Sequence, residues 1–84
     1  MKNKILILVY VPMIEKEYNI YIPLAKKVGT IKNLIINVVE EASEGVFQNN
    51  NCRYLYDKIS GEKIDDNQFV KNSGIKNGSK IILY

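Results

Sequence analysis

The sequence predicts an α+β domain, with one helix packed on a mixed sheet. Three observations predict it. Only residues 30–45 carry a long helical periodicity, so there is one strong helix with one face to bury. The flanking segments are β-favouring runs or period-two alternations, punctuated by Pro and Gly. The chain has 84 residues, enough for a single domain (1–84) with a small core.

The helix organises the rest. Ile31, Leu34, Ile35, Val38, Val39 and Ala42 recur at i, i+3, i+4, i+7, i+8 and i+11, which is one stripe of a helix. Leu34 falls in the middle of that stripe, while Lys32 falls on the polar side. Ile36 lies off the stripe, as a smaller exposed contact. Thr30 stands before the first apolar position, where its hydroxyl can accept an unpaired first-turn N–H. Gly45 sits where the chain must leave the helix through a left-handed conformation. Glu40, Glu41 and Glu44 read as an exposed face at the C-terminal end.

Ahead of the helix, residues 4–11 form a nearly unbroken β-favouring run. Ile5, Ile7, Val9 and Val11 face one way, and Lys4, Leu6, Leu8 and Tyr10 the other. The sequence leaves open which set meets the helix. Pro12 ends the strand because it has no N–H for a ladder. Residues 13–17 are short enough for a hairpin. Residues 18–25 are the second strand, with Ile20, Ile22 and Leu24 at period two. Pro23 lies inside it, which is tolerated only where the N–H faces away from a partner, so this strand belongs at a sheet edge.

After the helix, residues 46–51 read as a polar loop and residues 52–57 as a third strand. Ser60-Gly61 marks a turn, and Lys63-Ile64 has room for only a very short strand. Residues 65–74 are a loop with one helical turn that drops Val70 into the core, with Phe69 as a further candidate. Asn77-Gly78 is a tight-turn signal that delivers the last strand, residues 79–84. A helix that follows a hairpin must cross the sheet, and the last strand then enters beside the first and parallel to it. The expected architecture is a β-grasp: β-hairpin, helix, strand, short strand, strand.

The residues that close the chain carry a resemblance. Ile64, Val70, Ile75, Ile81 and Leu83 match the core positions of ubiquitin's final segment, and Gly78 matches a tight-turn position. Within the ubiquitin superfamily the chain resembles the YukD-type proteins, small ubiquitin-like proteins of type VII (WXG100) secretion loci in Gram-positive bacteria. The total length, Thr-Ile-Lys-Asn-Leu-Ile at 30–35 and Ser-Gly-Ile-Lys-Asn-Gly at 73–78 carry it. The match covers nearly the whole chain, on motifs that specify fold. It implies a non-catalytic, cytosolic accessory or regulatory component of such a system, acting by docking on other proteins. Conjugation chemistry needs a flexible tail ending in Gly-Gly. The sequence given closes on Ile82-Leu83-Tyr84, so no covalent carriage is expected.

Composition narrows the chemistry. There is no His, and Cys52 is the one cysteine, so no cysteine-based metal site or internal disulfide is expected. No neighbouring His or cationic cluster marks Cys52 as a reactive thiol. Asp65-Asp66 reads as a pair of turn-capping carboxylates rather than a metal site. With no nucleophile–base pair and no phosphate-cradling glycine loop, the expectation is a non-enzyme without cofactor, metal or small-molecule substrate. No apolar run approaches the roughly 18 residues of a membrane span, and residues 1–10 lack a signal peptide's cleavage site. The alternative left open is a small nucleic-acid-associated regulator, resting on a net charge of +3. Scattered lysines and a single arginine, Arg53, weigh against it.

The surplus is aromatic: six tyrosines and no tryptophan. If Leu55, Ile81 and Leu83 point into the core, then Tyr54, Tyr56, Ile82 and Tyr84 point out on neighbouring strands. Strand one adds Leu6, Leu8 and Tyr10 for one of its two facings. A tyrosine-rich, apolar sheet face is what protein interfaces are enriched in, and it is the expected partner-binding surface.

Overall fold

The structure is a computed structural model that describes residues 3–47 and 54–84. Strand β1 (Lys4–Val11) and β2 (Lys16–Pro23) form an antiparallel hairpin, and helix α1 (Val28–Ala42) follows. Strand β3 (Leu55–Asp57), a 3-10 turn (Val70–Asn72) and strand β4 (Lys80–Leu83) complete the order. The sheet runs β2-β1-β4-β3, with β4 parallel to β1 and antiparallel to β3. This is the expected β-grasp. Strand β2 is an edge, and Pro23 closes it opposite Lys4. Lys63-Ile64 makes only an isolated bridge from Lys63 to Tyr56, so no separate short strand forms among the described residues. Cys52 and Arg53, the start of the expected third strand, lie outside the described residues.

The open facing of β1 is settled by burial. Ile5, Ile7, Val9 and Val11 are buried against the helix, which leaves Leu6, Leu8 and Tyr10 half-buried on the opposite face. Ile20, Ile22, Leu55, Ile64, Val70, Ile75, Ile81 and Leu83 join the same core. Leu24, expected inside β2, follows that strand and packs half-buried against the core rim.

The helix corrects several expectations. It begins at Val28, not after Thr30, and no side chain caps it. Instead the Val28 N–H donates to the Gln68 carbonyl (2.8 Å) and the Gly29 N–H to the Asp66 carbonyl (2.9 Å). A loop distant in sequence therefore satisfies the orphan donors that a hydroxyl was expected to satisfy. The buried face is Val28, Ile31, Ile35, Ile36 and Val39. Leu34, read as central core, is 39% exposed, whereas Ile36, read as an exposed contact, is buried. Ala42 is exposed and Val38 packs at the rim. The cause is geometric. At 100° per residue the apolar positions from 28 to 42 span an arc of about 200°, twice the width of a single stripe. Leu34 and Ile36 stand at the two edges of that arc, and the buried part runs from Ile31 through Ile35, Val28 and Val39 to Ile36, which leaves the Leu34 edge out.

Two aromatic positions also differ. Phe47, in the segment read as a polar loop, is buried in the core, while its neighbour Val46 is exposed. The Phe47 N–H donates to the Ser43 hydroxyl (3.0 Å), which folds the chain back after the helix. Gly45 does take the left-handed conformation the helix end requires (φ 84°). Phe69 points outward and is 41% exposed, while Val70 beside it is buried. Residue 69 has extended backbone, so neighbouring side chains there project to opposite sides.

Candidate docking face

The side of the sheet away from the helix carries the expected residues and brings them together. Strand register places them. Tyr56 pairs with Ile82, and Ile82 pairs with Tyr10. The inward partners Leu55 and Leu83 fix the alternation, because both are buried. Tyr54 and Tyr84 extend the β3–β4 ladder by a reciprocal pair. The Tyr54 N–H donates to the Tyr84 carbonyl (3.1 Å), and the Tyr84 N–H donates to the Tyr54 carbonyl (2.9 Å).

The rings then meet in a row. Tyr54 and Tyr56 stand edge to face with centroids 6.4 Å apart, and so do Tyr56 and Tyr84, also at 6.4 Å. Such pairing is favoured by the aromatic quadrupole. Tyr56 is the middle ring and is half-buried, as is Ile82, whereas Tyr84 is 65% exposed. The row therefore has a partly covered centre and open flanks.

Lysines frame it, a feature the sequence pattern did not reveal. Lys63 Nζ lies 4.4 Å from the centroid of Tyr54, and Lys58 Nζ lies 5.2 Å from that of Tyr10. These are cation–π distances. Lys58 also reaches Glu17 on β2 at 3.8 Å. Two consecutive-strand tyrosines signal an exposed row, but lysines from the turn after β3 and from position 63 reach it only through the tertiary fold. Tyr21 on β2, opposite Leu6 in register, adds a separate exposed ring at the far edge.

The three aspartates are already bonded within the fold. Asp57 Oδ1 accepts from the Ile59 N–H (2.8 Å) and Asp65 Oδ1 from the Asn67 N–H (2.9 Å), both turn-capping contacts. Asp66 Oδ2 accepts from Lys32 Nζ at 2.6 Å, so Lys32 is paired and largely covered rather than on an open polar side. A cleft of about 250 Å³ beside β3 is lined by Asp57, Glu62, Lys63 and Asp65 among others. Its two aspartates are the ones already bonded to turn amides. Among the described residues, no group of three His, Cys, Asp or Glu side chains is placed to hold a metal ion. No helix there is long and apolar enough to cross a membrane. The geometry offers a surface for contact.

No protein-family model matches the chain, and no curated protein sequence matches it. Solved structures do. The EccD5 ubiquitin-like domain from Mycobacterium xenopi matches with a TM-score of 0.77 at 10% identity, over 96% of this chain and 92% of that one. A chain of the ESX-5 inner membrane complex matches with a TM-score of 0.79 at 10% identity, over 98% of this chain but 21% of its own length. The ubiquitin-like domain of an Arabidopsis thaliana protein matches with a TM-score of 0.71 at 23% identity, over 98% of this chain and 77% of that one. At such identities the likeness is one of fold. The strand order, the parallel β1–β4 pair and the crossing helix α1 give this chain the ubiquitin-like β-grasp fold.

Proposed function

We propose that this domain is a non-catalytic docking component of a type VII secretion system, working on the cytoplasmic side of the membrane apparatus of a Gram-positive bacterium. The observation that carries the docking role is the row Tyr54–Tyr56–Tyr84 with Ile82, an aromatic surface left over after the core is filled. Interface energy concentrates in a few such anchors, with a half-covered ring at the centre and a rim that excludes water. The setting is supported by the YukD-type resemblance of the sequence. The fold likeness to the EccD5 domain and to a chain of the ESX-5 complex points the same way. Tyr54, Tyr56, Ile82 and Tyr84 are the partner-binding residues of this reading.

The test is genetic and structural together. In the native host, deleting the gene should change export of the small Trp-x-Gly proteins that such a system secretes. Wild type should restore it, and Tyr56→Ala or Ile82→Ala should not, although both variants melt cooperatively. Normal export in the deletion strain would remove the secretion role. Full rescue by both folded variants would remove the tyrosine row as the docking face.

A further inference from the structure

A second surface lies at the opposite end of the hairpin. Phe69 is 41% exposed, yet its backbone is firmly held. Lys27 and Phe69 form an isolated antiparallel bridge. The Val70 N–H donates to the Lys26 carbonyl (2.9 Å), and the Lys71 N–H to the Leu24 carbonyl (3.2 Å). With Val70 buried on the inner side, this extended backbone drives the Phe69 ring outward. An exposed ring on a fixed backbone loses little conformational freedom when a partner covers it.

The charge around it has one sign. The ammonium groups of Lys27 and Lys71 each lie 5.9 Å from the Phe69 centroid. Lys26, the residue before Lys27, is also exposed, and its carbonyl accepts from the Val70 N–H. Neither ion pair among the described residues involves these three lysines. Asp66, the acid nearest in the same loop, is held by Lys32. Carbonyls of the loop already take the Val28 and Gly29 N–H groups of the adjacent helix.

We propose that Phe69, Lys26, Lys27 and Lys71 form a docking point for an acidic protein segment that carries an apolar side chain. Carboxylates would meet the three ammonium groups, and the apolar side chain would cover the ring. One ring among polar neighbours is too little apolar area for a membrane surface, which needs a broader apolar face. Both lysines lie against the ring, which leaves it less open than the unobstructed stacking platforms that bind nucleic acid bases. The site is separate from the tyrosine row. Leu24 follows Pro23, which pairs with Lys4 at the start of β1, whereas Ile82 pairs with Tyr10 near its end. It does not depend on the secretion setting.

The experiment titrates isotope-labelled protein with a synthetic peptide of repeating Glu-Glu-Leu and follows the backbone amides. Saturable shifts are expected at residues 26–29 and 68–72, weakening as salt is raised. Lys27→Glu combined with Lys71→Glu should weaken binding at least about tenfold, as should Phe69→Ala. All these positions are exposed, and a thermal melt confirms that the variants stay folded. Tyr56→Ala should leave the affinity unchanged, which separates this site from the tyrosine row. A Gln-Gln-Leu peptide should not bind. Each of four results overturns the proposal: no saturable shift, equal binding of the Gln peptide, shifts confined to the tyrosine row, or no effect of the lysine reversals. So does saturation of the same amides by oligothymidine or by phosphatidylglycerol vesicles but not by the acidic peptide.

Discussion

Lys32 Nζ lies 2.6 Å from Asp66 Oδ2, across 34 residues of sequence, and the lysine side chain is only 16% exposed. The pair joins the first turns of the helix to the loop whose carbonyls receive the Val28 and Gly29 N–H groups. It thus reinforces a helix start that no local side chain caps. Lys32→Ala and Asp66→Ala should each lower stability by about 1 kcal/mol, the range of a charge-assisted bond at a partly exposed site. The double variant should lose little more than either single one, because the two side chains share one interaction. Urea melts of the four proteins measure it. Additive losses would mean that the side chains act independently.

The helix face gives a sharper contrast. Ile35 is fully buried and Leu34, its neighbour, is 39% exposed. Ile35→Ala should cost roughly 2–5 kcal/mol, and Leu34→Ala less than about 1 kcal/mol. Phe47→Ala should belong with Ile35, at roughly 3–5 kcal/mol, although Phe47 follows the helix in an irregular segment. In a small domain losses of that size unfold much of the population. Comparable melts for the Leu34 and Ile35 variants would contradict the burial pattern.

The difference between what the sequence shows and what it hides follows from range. Period-two alternation, Pro12 and Pro23 are local signals, so the hairpin, the edge position of β2 and the core side of β3 and β4 were legible. The tyrosine row was legible for the same reason, since it is the complement of Leu55, Ile81 and Leu83. The buried part of the helix was not, because an apolar arc of about 200° is wider than the face that is buried, and only the tertiary contact chooses which edge, Leu34 or Ile36, is left out. Phe47 was hidden by its polar neighbours. The helix cap was hidden because its acceptors, the carbonyls of Asp66 and Gln68, are far along the chain. The lysines over Tyr10 and Tyr54 were hidden for the same reason.

Asn77 and Gly78 clamp Leu6 from both sides. The Leu6 N–H donates to Asn77 Oδ1 (2.8 Å), and the Gly78 N–H donates to the Leu6 carbonyl (2.8 Å). Gly78 has φ 86°, in the left-handed region that a side chain disfavours. A Cβ built there meets nothing within 4 Å, so the cost of a substitution is conformational rather than steric. Gly78→Ala should destabilise by about 1–2 kcal/mol. Asn77→Ala should cost about 1 kcal/mol by leaving the Leu6 N–H without its partner. Hydrogen exchange should speed up at the Leu6 amide in both variants. Unchanged exchange would show that the turn is not what holds the start of the parallel pair.

Tyr56 is the ring that makes a row of three, touching Tyr54 on one side and Tyr84 on the other. Removing it should release both neighbours, while removing Tyr84 should release only one contact. Tyr56→Ala should therefore lower stability by roughly 1–3 kcal/mol, from two edge-to-face contacts worth about 0.5–1.5 kcal/mol each. Tyr84→Ala should lower it by about 1 kcal/mol or less, since that side chain is 65% exposed. Tyr56→Phe keeps the ring and should keep the stability. It should keep partner affinity too if the row docks through its faces, whereas loss of affinity on removing only the hydroxyl would mean that a hydrogen bond carries the contact. Near-ultraviolet circular dichroism reads the ring packing and a chemical melt the stability. Glu41→Ala with Glu44→Ala, at the exposed end of the helix, serves as the control that should move neither. If Tyr84→Ala proves as costly as Tyr56→Ala, the row is not centred on Tyr56, and the docking anchor belongs at the chain's last strand instead.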